Sequence, residues 1–400
     1  MKKMILSTII VGLFLWTPST LVLAQEKLVI NAKQAIAVEC ETGKILYQKE
    51  ANQKAPIASL TKILTVYLTL KEIKNGKISW DTPVKMSDYA KELANNPDVS
   101  NPSLYKDTFT VKELIDSSMV VSSNSAAISL AETIAGSEPQ FVDMMKKQLQ
   151  TWGIQDYQLV NASGLNNSML NGHLYPKSKP NDENQLSAKN LAIVASHLIS
   201  EFPEILAISS QSQLYWGNDV LQNSNHLLPG LSMGRLGVDG LKTGTTGRAG
   251  QTYIGTAVQD NMRVIVVILH ANNAEQDSEA RFVEANKLFD FAFQNFQSIT
   301  IPKAKPYATK LAIIDGKKKK VAFISHKDFT IVQPKNDDSI NYKVIQDKSK
   351  TKAPIKKDEK LGRIQFIDSS DYLKKKPSVA IFSFETIKKL SLFEKWFRFN

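Results

Sequence analysis

One cysteine, Cys40, stands in a chain of 400 residues. That excludes an intramolecular disulfide, a cysteine-rich zinc site and a dithiol redox pair. Histidine is nearly as scarce. His173, His197, His226, His270 and His326 are scattered with no pair at metal-ligand spacing, so no histidine-based metal centre is expected and no cofactor is called for. With 18 glycines and 15 prolines the chain is neither collagen-like nor low in complexity. An apolar run from Met4 to Trp16 is broken by Thr17-Pro18-Ser19-Thr20 before it reaches the roughly 20 residues of a membrane span. What is present is ordinary for a folded protein: 42% hydrophobic and 22% charged residues, enough chain for two or three domains.

The first residues indicate export. Lys2 and Lys3 precede the apolar run, and Val22-Leu23-Ala24 offers a small residue at the cut. This pattern predicts a secretory signal peptide over residues 1–24. The formal net charge of +11 is unevenly placed. Residues 301–400 hold 24 Lys+Arg against 11 Asp+Glu, whereas residues 1–300 are close to neutral. An anionic partner is therefore sought at the C-terminal end, and in an exported protein a membrane surface fits better than nucleic acid.

Ala35–Val38 and Ile45–Tyr47 flank Glu41-Thr42-Gly43-Lys44 as a β-hairpin. Ser59 to Glu72 is apolar on nearly every face, which predicts a helix buried inside a domain. Helical periodicity returns over residues 111–150 and 186–207, separated by a polar loop from Asn161 to Asn184. Gly250–Val258 and Arg263–Leu269 read as paired strands, and Glu279–Phe296 as an amphipathic helix. Strands early and late with helices between them give an α+β class. The composition shifts near residue 298 to short β-rich pieces separated by lysine-rich turns. The expected division is residues 25–297 as a first domain, 298–384 as a small all-β domain, and 385–400 as a terminal helix.

Three short motifs carry chemistry. Ser59-Leu60-Thr61-Lys62 is an S-x-x-K tetrad; two further copies, Ser103…Lys106 and Ser349…Lys352, show how little it means alone. Ser59 differs because it opens the buried helix, where a residue three positions on shares its face and unpaired N–H groups are at hand. A serine needs a base to act as a nucleophile, and lysine serves only when neutral, a state that burial and a nearby cation both favour. Ser122-Ser123-Asn124 is an S-x-N triplet, although Ser122 also suits a helix N-cap. Lys242-Thr243-Gly244 occurs once, just ahead of the strand pair.

Taken in this order, the set resembles the active-site serine penicillin-binding proteins and β-lactamases. It is most similar to the low-molecular-mass D-alanyl-D-alanine carboxypeptidases. Pro56 to Lys62, Asn161-Ala162-Ser163-Gly164-Leu165, Asp239 to Gly244 and the segment from Ala353 through Gly362 share the likeness, so it spans nearly the whole mature chain. The resemblance implies a β-lactamase/DD-peptidase-like domain, an antiparallel sheet flanked by helices plus a helical subdomain, followed by a small β domain. It implies removal of the terminal D-alanine from peptidoglycan stem peptides through a serine ester, and covalent capture by β-lactam antibiotics. Ser59 is then the nucleophile, Lys62 its base and Ser122 the proton relay to the leaving nitrogen. Asn124 would clamp the substrate amide with both ends of its own, and the N–H groups of Ser59 and Thr245 would form the oxyanion hole. Lys242, Thr243, Gly244 and Thr245 would meet the terminal carboxylate, with Arg281 a further candidate.

A β-lactamase or a DD-endopeptidase of the same fold remains an alternative, as does a non-catalytic peptidoglycan-binding module. The loop over residues 161–184 holds no E-x-x-x-N; Glu183 is its only acid besides Asp182. At the end of the chain, Ile387, Leu390, Phe393, Trp396 and Phe397 recur at helical spacing among basic residues. That predicts an interfacial helix over Glu385–Asn400 that rests on an anionic membrane.

Overall fold

The computed structural model describes residues 28–337 and 340–394; the expected signal peptide lies outside the described residues. Its centre is a five-stranded antiparallel sheet of β1 (Ala32–Glu39), β2 (Ile45–Lys49), β3 (Val238–Thr246), β4 (Gly250–Gln259) and β5 (Met262–Ala271), in the order β2-β1-β5-β4-β3. The register sets Ile36 opposite Val267 and Thr252 opposite Gly244. β5 is apolar at consecutive positions because both of its faces are covered. Val264, Val266 and Ile268 face one core, and Ile265, Val267 and Leu269 the other.

The first of these cores is closed by α8 (Ala280–Asn295), through Phe282, Leu288 and Phe289. The second lies under a helical lobe: α1 (Lys62–Lys74), α2 (Asp88–Ala94), α3 (Val111–Val120), α4 (Asn124–Ala135), α5 (Glu138–Thr151), α6 (Ala188–Glu201) and α7 (Ile205–Ser209). α1 runs through the middle of this lobe, and ten of its thirteen residues are buried. It starts at Lys62 rather than Ser59, because Ala58–Thr61 forms a 3-10 turn first.

Six strands build most of the second domain: β6 (Phe296–Ile301), β7 (Phe323–Ser325), β8 (Phe329–Pro334), β9 (Tyr342–Gln346), β10 (Lys360–Phe366) and β11 (Ser378–Ser383). β6 pairs with β8, and the others form a sheet in the order β7-β11-β10-β9 over a core that includes Phe323, Ile331, Leu361, Ile364 and Ile381. β6 therefore straddles the composition change near residue 298. The β1–β2 turn docks on this domain. Buried Lys44 pairs with Asp368 at 2.8 Å and donates to the Val332 carbonyl at 2.7 Å.

The expected helix from Glu385 requires correction. Ile387 bridges to Ile355 in extended conformation and is buried in the β-domain core; the Leu390 N–H donates to the Asp315 carbonyl at 2.8 Å. Helical spacing and a single buried residue on an extended chain look alike over so short a stretch, and the apolar pocket claimed Ile387. Helix begins only at Leu392, and residues 395–400 lie outside the described residues. Among the described residues no helix is long and apolar enough to cross a membrane.

Candidate active site

Ser59 sits where the helical lobe meets the edge strand β3. The turn that presents it is tightly constrained. Ala58 has φ +49° and Thr61 Oγ1 donates to the Ala58 carbonyl at 2.8 Å. Two glycines allow neighbouring backbone to close on this turn. A Cβ on Gly244 would stand 3.0 Å from Ser59 N, and one on Gly164, which has φ +88°, would stand 1.9 Å from the Ala58 carbonyl oxygen. Ser122 is a second non-glycine residue in the left-handed region, at φ +63°. Such positions cost about 1–3 kcal/mol each and persist where surrounding structure enforces them.

Lys62 is fully buried on the first turn of α1. Its Nζ lies 2.9 Å from Ser59 Oγ, 2.8 Å from Asn124 Oδ1 and 2.9 Å from the Ser163 carbonyl oxygen. A neutral amine has two N–H donors and one lone pair. Two of these partners can only accept, so the lone pair is left facing the Ser59 hydroxyl, as a general base requires. Burial holds the Lys62 pKa well below the ordinary lysine value, and the Lys242 charge lowers it further. Lys242 is itself buried and lowered to about 7, first by burial and then by Arg281.

The S-x-N triplet divides its work. Ser123 caps α4 by accepting from Ala126 N, so the capping role open to Ser122 is already filled. Ser122 is buried on the turn just before the cap. Asn124 receives Lys62 at Oδ1 and donates through Nδ2 to the Ser100 carbonyl at 2.9 Å. Each end of its amide has a protein partner, so Asn124 holds Lys62 in place.

On β3, the Lys242 ammonium donates to the Thr243 carbonyl at 3.0 Å, and Thr243 Oγ1 is 2.7 Å from Ser224 Oγ. Arg281 reaches the end of this strand from α8. Its Nη1 donates to the carbonyls of Gly244 (2.9 Å) and Thr252 (3.2 Å), Nη2 to Thr245 Oγ1 (2.8 Å) and Nε to Gln251 Oε1 (3.2 Å). None of these four partners is a carboxylate, so no direct ion pair ties up the Arg281 charge beside Thr245. Burial draws its pKa down to about 10, against the raising effect of Glu279.

The turn that locks Lys62 in place acts largely through backbone atoms. The Ala162 carbonyl accepts from Thr65 Oγ1 at 2.7 Å, Ala162 N donates to Glu138 at 2.8 Å, and Asn184 ties Asn161 to Thr61. The Asn161–Leu165 likeness was the available signal, but a backbone carbonyl leaves no residue type to notice. A Gly164→Ala variant is expected to slow acylation by a chromogenic β-lactam about 10²-fold, because moving this turn displaces both Ala58 and the Ser163 carbonyl. An unchanged acylation rate would show that the turn does not set the geometry.

Residues 21–273 match the family model described as D-alanyl-D-alanine carboxypeptidase, and residues 296–389 match the one described as penicillin-binding protein 5, C-terminal domain. The chain is 29% identical over 390 residues to the D-alanyl-D-alanine carboxypeptidase DacF of Bacillus subtilis, covering 94% of each. It is 30% identical to the carboxypeptidase DacA of Haemophilus influenzae, covering 86% of this chain and 82% of that one. Among solved structures, a peptidoglycan synthesis regulatory factor (PBP3) from Streptococcus pneumoniae superposes with a TM-score of 0.81 at 39% identity, covering 90% of this chain and 100% of that one. Penicillin-binding protein D2 of Listeria monocytogenes, in its ampicillin-bound form, superposes at 0.56 with 31% identity over 67% of this chain and 100% of its own.

Proposed function

The chain belongs to the D-alanyl-D-alanine carboxypeptidases, penicillin-binding enzymes of peptidoglycan maturation, and we propose that its chemistry runs through Ser59, Lys62 and Ser122. The observation that carries this assignment is the buried Lys62 amine, with Nζ 2.9 Å from Ser59 Oγ and its two other contacts on oxygens that only accept.

In the forward step Lys62 takes the Ser59 proton as Oγ attacks the carbonyl between the two D-alanines. The N–H groups of Ser59 and Thr245 receive the oxyanion, and Gly244 lets β3 approach closely enough for both to act. Collapse breaks the C–N bond; the proton held by Lys62 passes through Ser122 to the departing amine, which leaves Lys62 neutral again and Ser122 a hydroxyl. Water then hydrolyses the Ser59 ester and releases the shortened peptide. A β-lactam ring opens by the same attack and leaves an acyl group on Ser59. Glu183 is a poor candidate for a β-lactamase-type water activator. Asn166 holds one of its carboxylate oxygens at 3.0 Å and Thr246 the other at 2.9 Å.

The terminal carboxylate meets the Thr243 and Thr245 hydroxyls between the cations of Lys242 and Arg281. A peptide ending in D-Ala-D-Ala amide is therefore expected to turn over at least about 10²-fold more slowly than the free acid, since a lost charge-assisted pair costs about 3 kcal/mol. Steady-state kinetics on the two peptides decide it; equal turnover would favour an endopeptidase.

The C-terminal end is proposed to rest on the outer face of an anionic membrane. Leu392 and Phe393 are 89% and 71% exposed, and residues 301–400 carry a basic excess in sequence. A chain ending at Leu390 is expected to keep full turnover of small peptides and to lose most co-sedimentation with anionic vesicles. A chain ending at Phe384 also loses Ile387 from the core and should be destabilised by about 2–5 kcal/mol. Undiminished vesicle binding by the chain ending at Leu390 would refute the membrane contact.

A further inference from the structure

The loop from Asn161 to Asn184 touches the active site at both ends. Its Ser163 carbonyl binds Lys62, and Glu183 binds Thr246 of β3. Between these ends it folds against residues 157–160 and α5 around a cavity of about 520 Å³, whose walls include Lys146, Tyr157, Tyr175, Lys177, Lys179 and Asp182. None of these residues takes part in the chemistry described above.

The cavity is firmly built. Asn167 Nδ2 donates to Ser178 Oγ and to the Lys179 carbonyl, both at 2.9 Å. Lys179 N donates to Asp182 Oδ2 at 2.8 Å, and Arg248 holds the Asn181 carbonyl at 2.7 Å. Tyr175 is fixed from both ends: its hydroxyl donates to Asp143 at 2.7 Å, and the Lys146 ammonium sits 3.6 Å from its ring centroid. Lys177 and Lys179 form no ion pair among the described residues, and the one carboxylate in the wall, Asp182, is engaged by backbone. Three lysines and two tyrosines thus line one space, with a single carboxylate among them.

We propose that this cavity binds an anionic saccharide unit of the cell-wall polymer, with the sugar against Tyr157 and Tyr175 and its carboxylate or phosphate met by Lys146, Lys177 and Lys179. The inference rests on the reading of the catalytic site as one for stem peptides, because such a peptide arrives attached to a glycan. A five-residue stem spans at most about 17 Å, so the glycan stays close to a loop that itself borders the cleft. Tyrosine faces suit the apolar side of a sugar ring, and Lys177 and Lys179, which form no ion pair among the described residues, suit its charge beside Lys146; an anion alone has no use for the rings.

The test is co-sedimentation of the full chain with purified sacculi at low and high ionic strength, with and without prior removal of covalently attached phosphodiester polymers. The Lys177→Glu/Lys179→Glu double variant is expected to be retained about tenfold less than the parent at low ionic strength, with a smaller difference at high ionic strength. A Lys319→Glu/Lys320→Glu variant, with the same change in net charge in the second domain, should be retained like the parent. A deficit that persists on stripped sacculi identifies a carboxylate of the peptidoglycan itself; one seen only before stripping identifies the phosphate. Equal retention of the loop variant, or an equal deficit in the second-domain variant, overturns the site. Penicillin labelling and short-peptide turnover are measured alongside and should match the parent. If the loop variant loses these too, Lys146→Gln, which enters the cavity from α5, decides: reduced sacculus retention with normal labelling upholds the site, and normal retention rejects it. Failure of the parent itself to label with penicillin would count against the catalytic reading and not against this cavity.

Discussion

A Ser59→Ala variant is expected to lose penicillin labelling and D-alanine release together, by about 10⁴-fold or more. The two losses are linked because both reactions begin with the same bond from Oγ to a carbonyl carbon. No neighbouring hydroxyl can substitute. Ser122 lies on a different turn, and Ser163 presents its carbonyl to Lys62 while its hydroxyl bonds within its own turn. The variant should fold normally, since Ser59 Oγ has no partner besides Lys62 among the described residues. Intact mass after incubation with penicillin, together with assay of released D-alanine, checks the result. Persistent labelling would move the nucleophile elsewhere.

Lys62→Arg is expected to be nearly as damaging as Lys62→Ala, on the order of 10³-fold in acylation rate. Arginine keeps a positive charge but cannot become a neutral base, and its guanidinium does not fit a space shaped by Ser59, Asn124 and the Ser163 carbonyl. The pH dependence has a definite sign. Burial and Lys242 depress the Lys62 pKa, so the active, neutral form persists to pH values well below the usual lysine range and is lost as pH falls through the depressed value. The unfolded chain, with ordinary lysines, binds more protons than the folded one between those two values, so these buried amines make the fold less stable as pH falls across that window. A stopped-flow pH profile of acylation should show the acid limb in the parent and leave only residual activity in the arginine variant. Substantial activity there would make Lys62 a fixed charge and not a base.

Much of this arrangement was legible because the side chains proposed to carry the chemistry stand at fixed spacings. Ser59 and Lys62 share a turn, Ser122 and Asn124 flank a helix start, and Lys242 to Thr245 occupy an edge strand. What escaped depends on distant chain segments or on backbone atoms. Asn124 could not be read as a holder of Lys62, because its second partner is the Ser100 carbonyl, 24 residues away on an irregular loop. The Ser163 carbonyl has no sequence signature. Arg281 is a candidate for the terminal carboxylate from sequence, but its contact with Thr245 Oγ1, 36 residues away, exists only in the folded chain.

The fold shows the same division. β5 and α1 announced themselves by continuous apolar runs, because each is buried on all sides. β11, which follows a lysine-rich turn, lies inside the second sheet between β7 and β10, a placement that only the fold assigns. Ile387 was misplaced because three-four spacing at a chain end does not say whether a core or a membrane takes the apolar side; the β-domain core took it.

The most direct test is peptide mapping of the full chain after brief incubation with penicillin. The account predicts one added penicillin mass per chain, carried by the peptide that contains Ser59. An unmodified protein, or an adduct on the peptide containing Ser103 or Ser122, would contradict it.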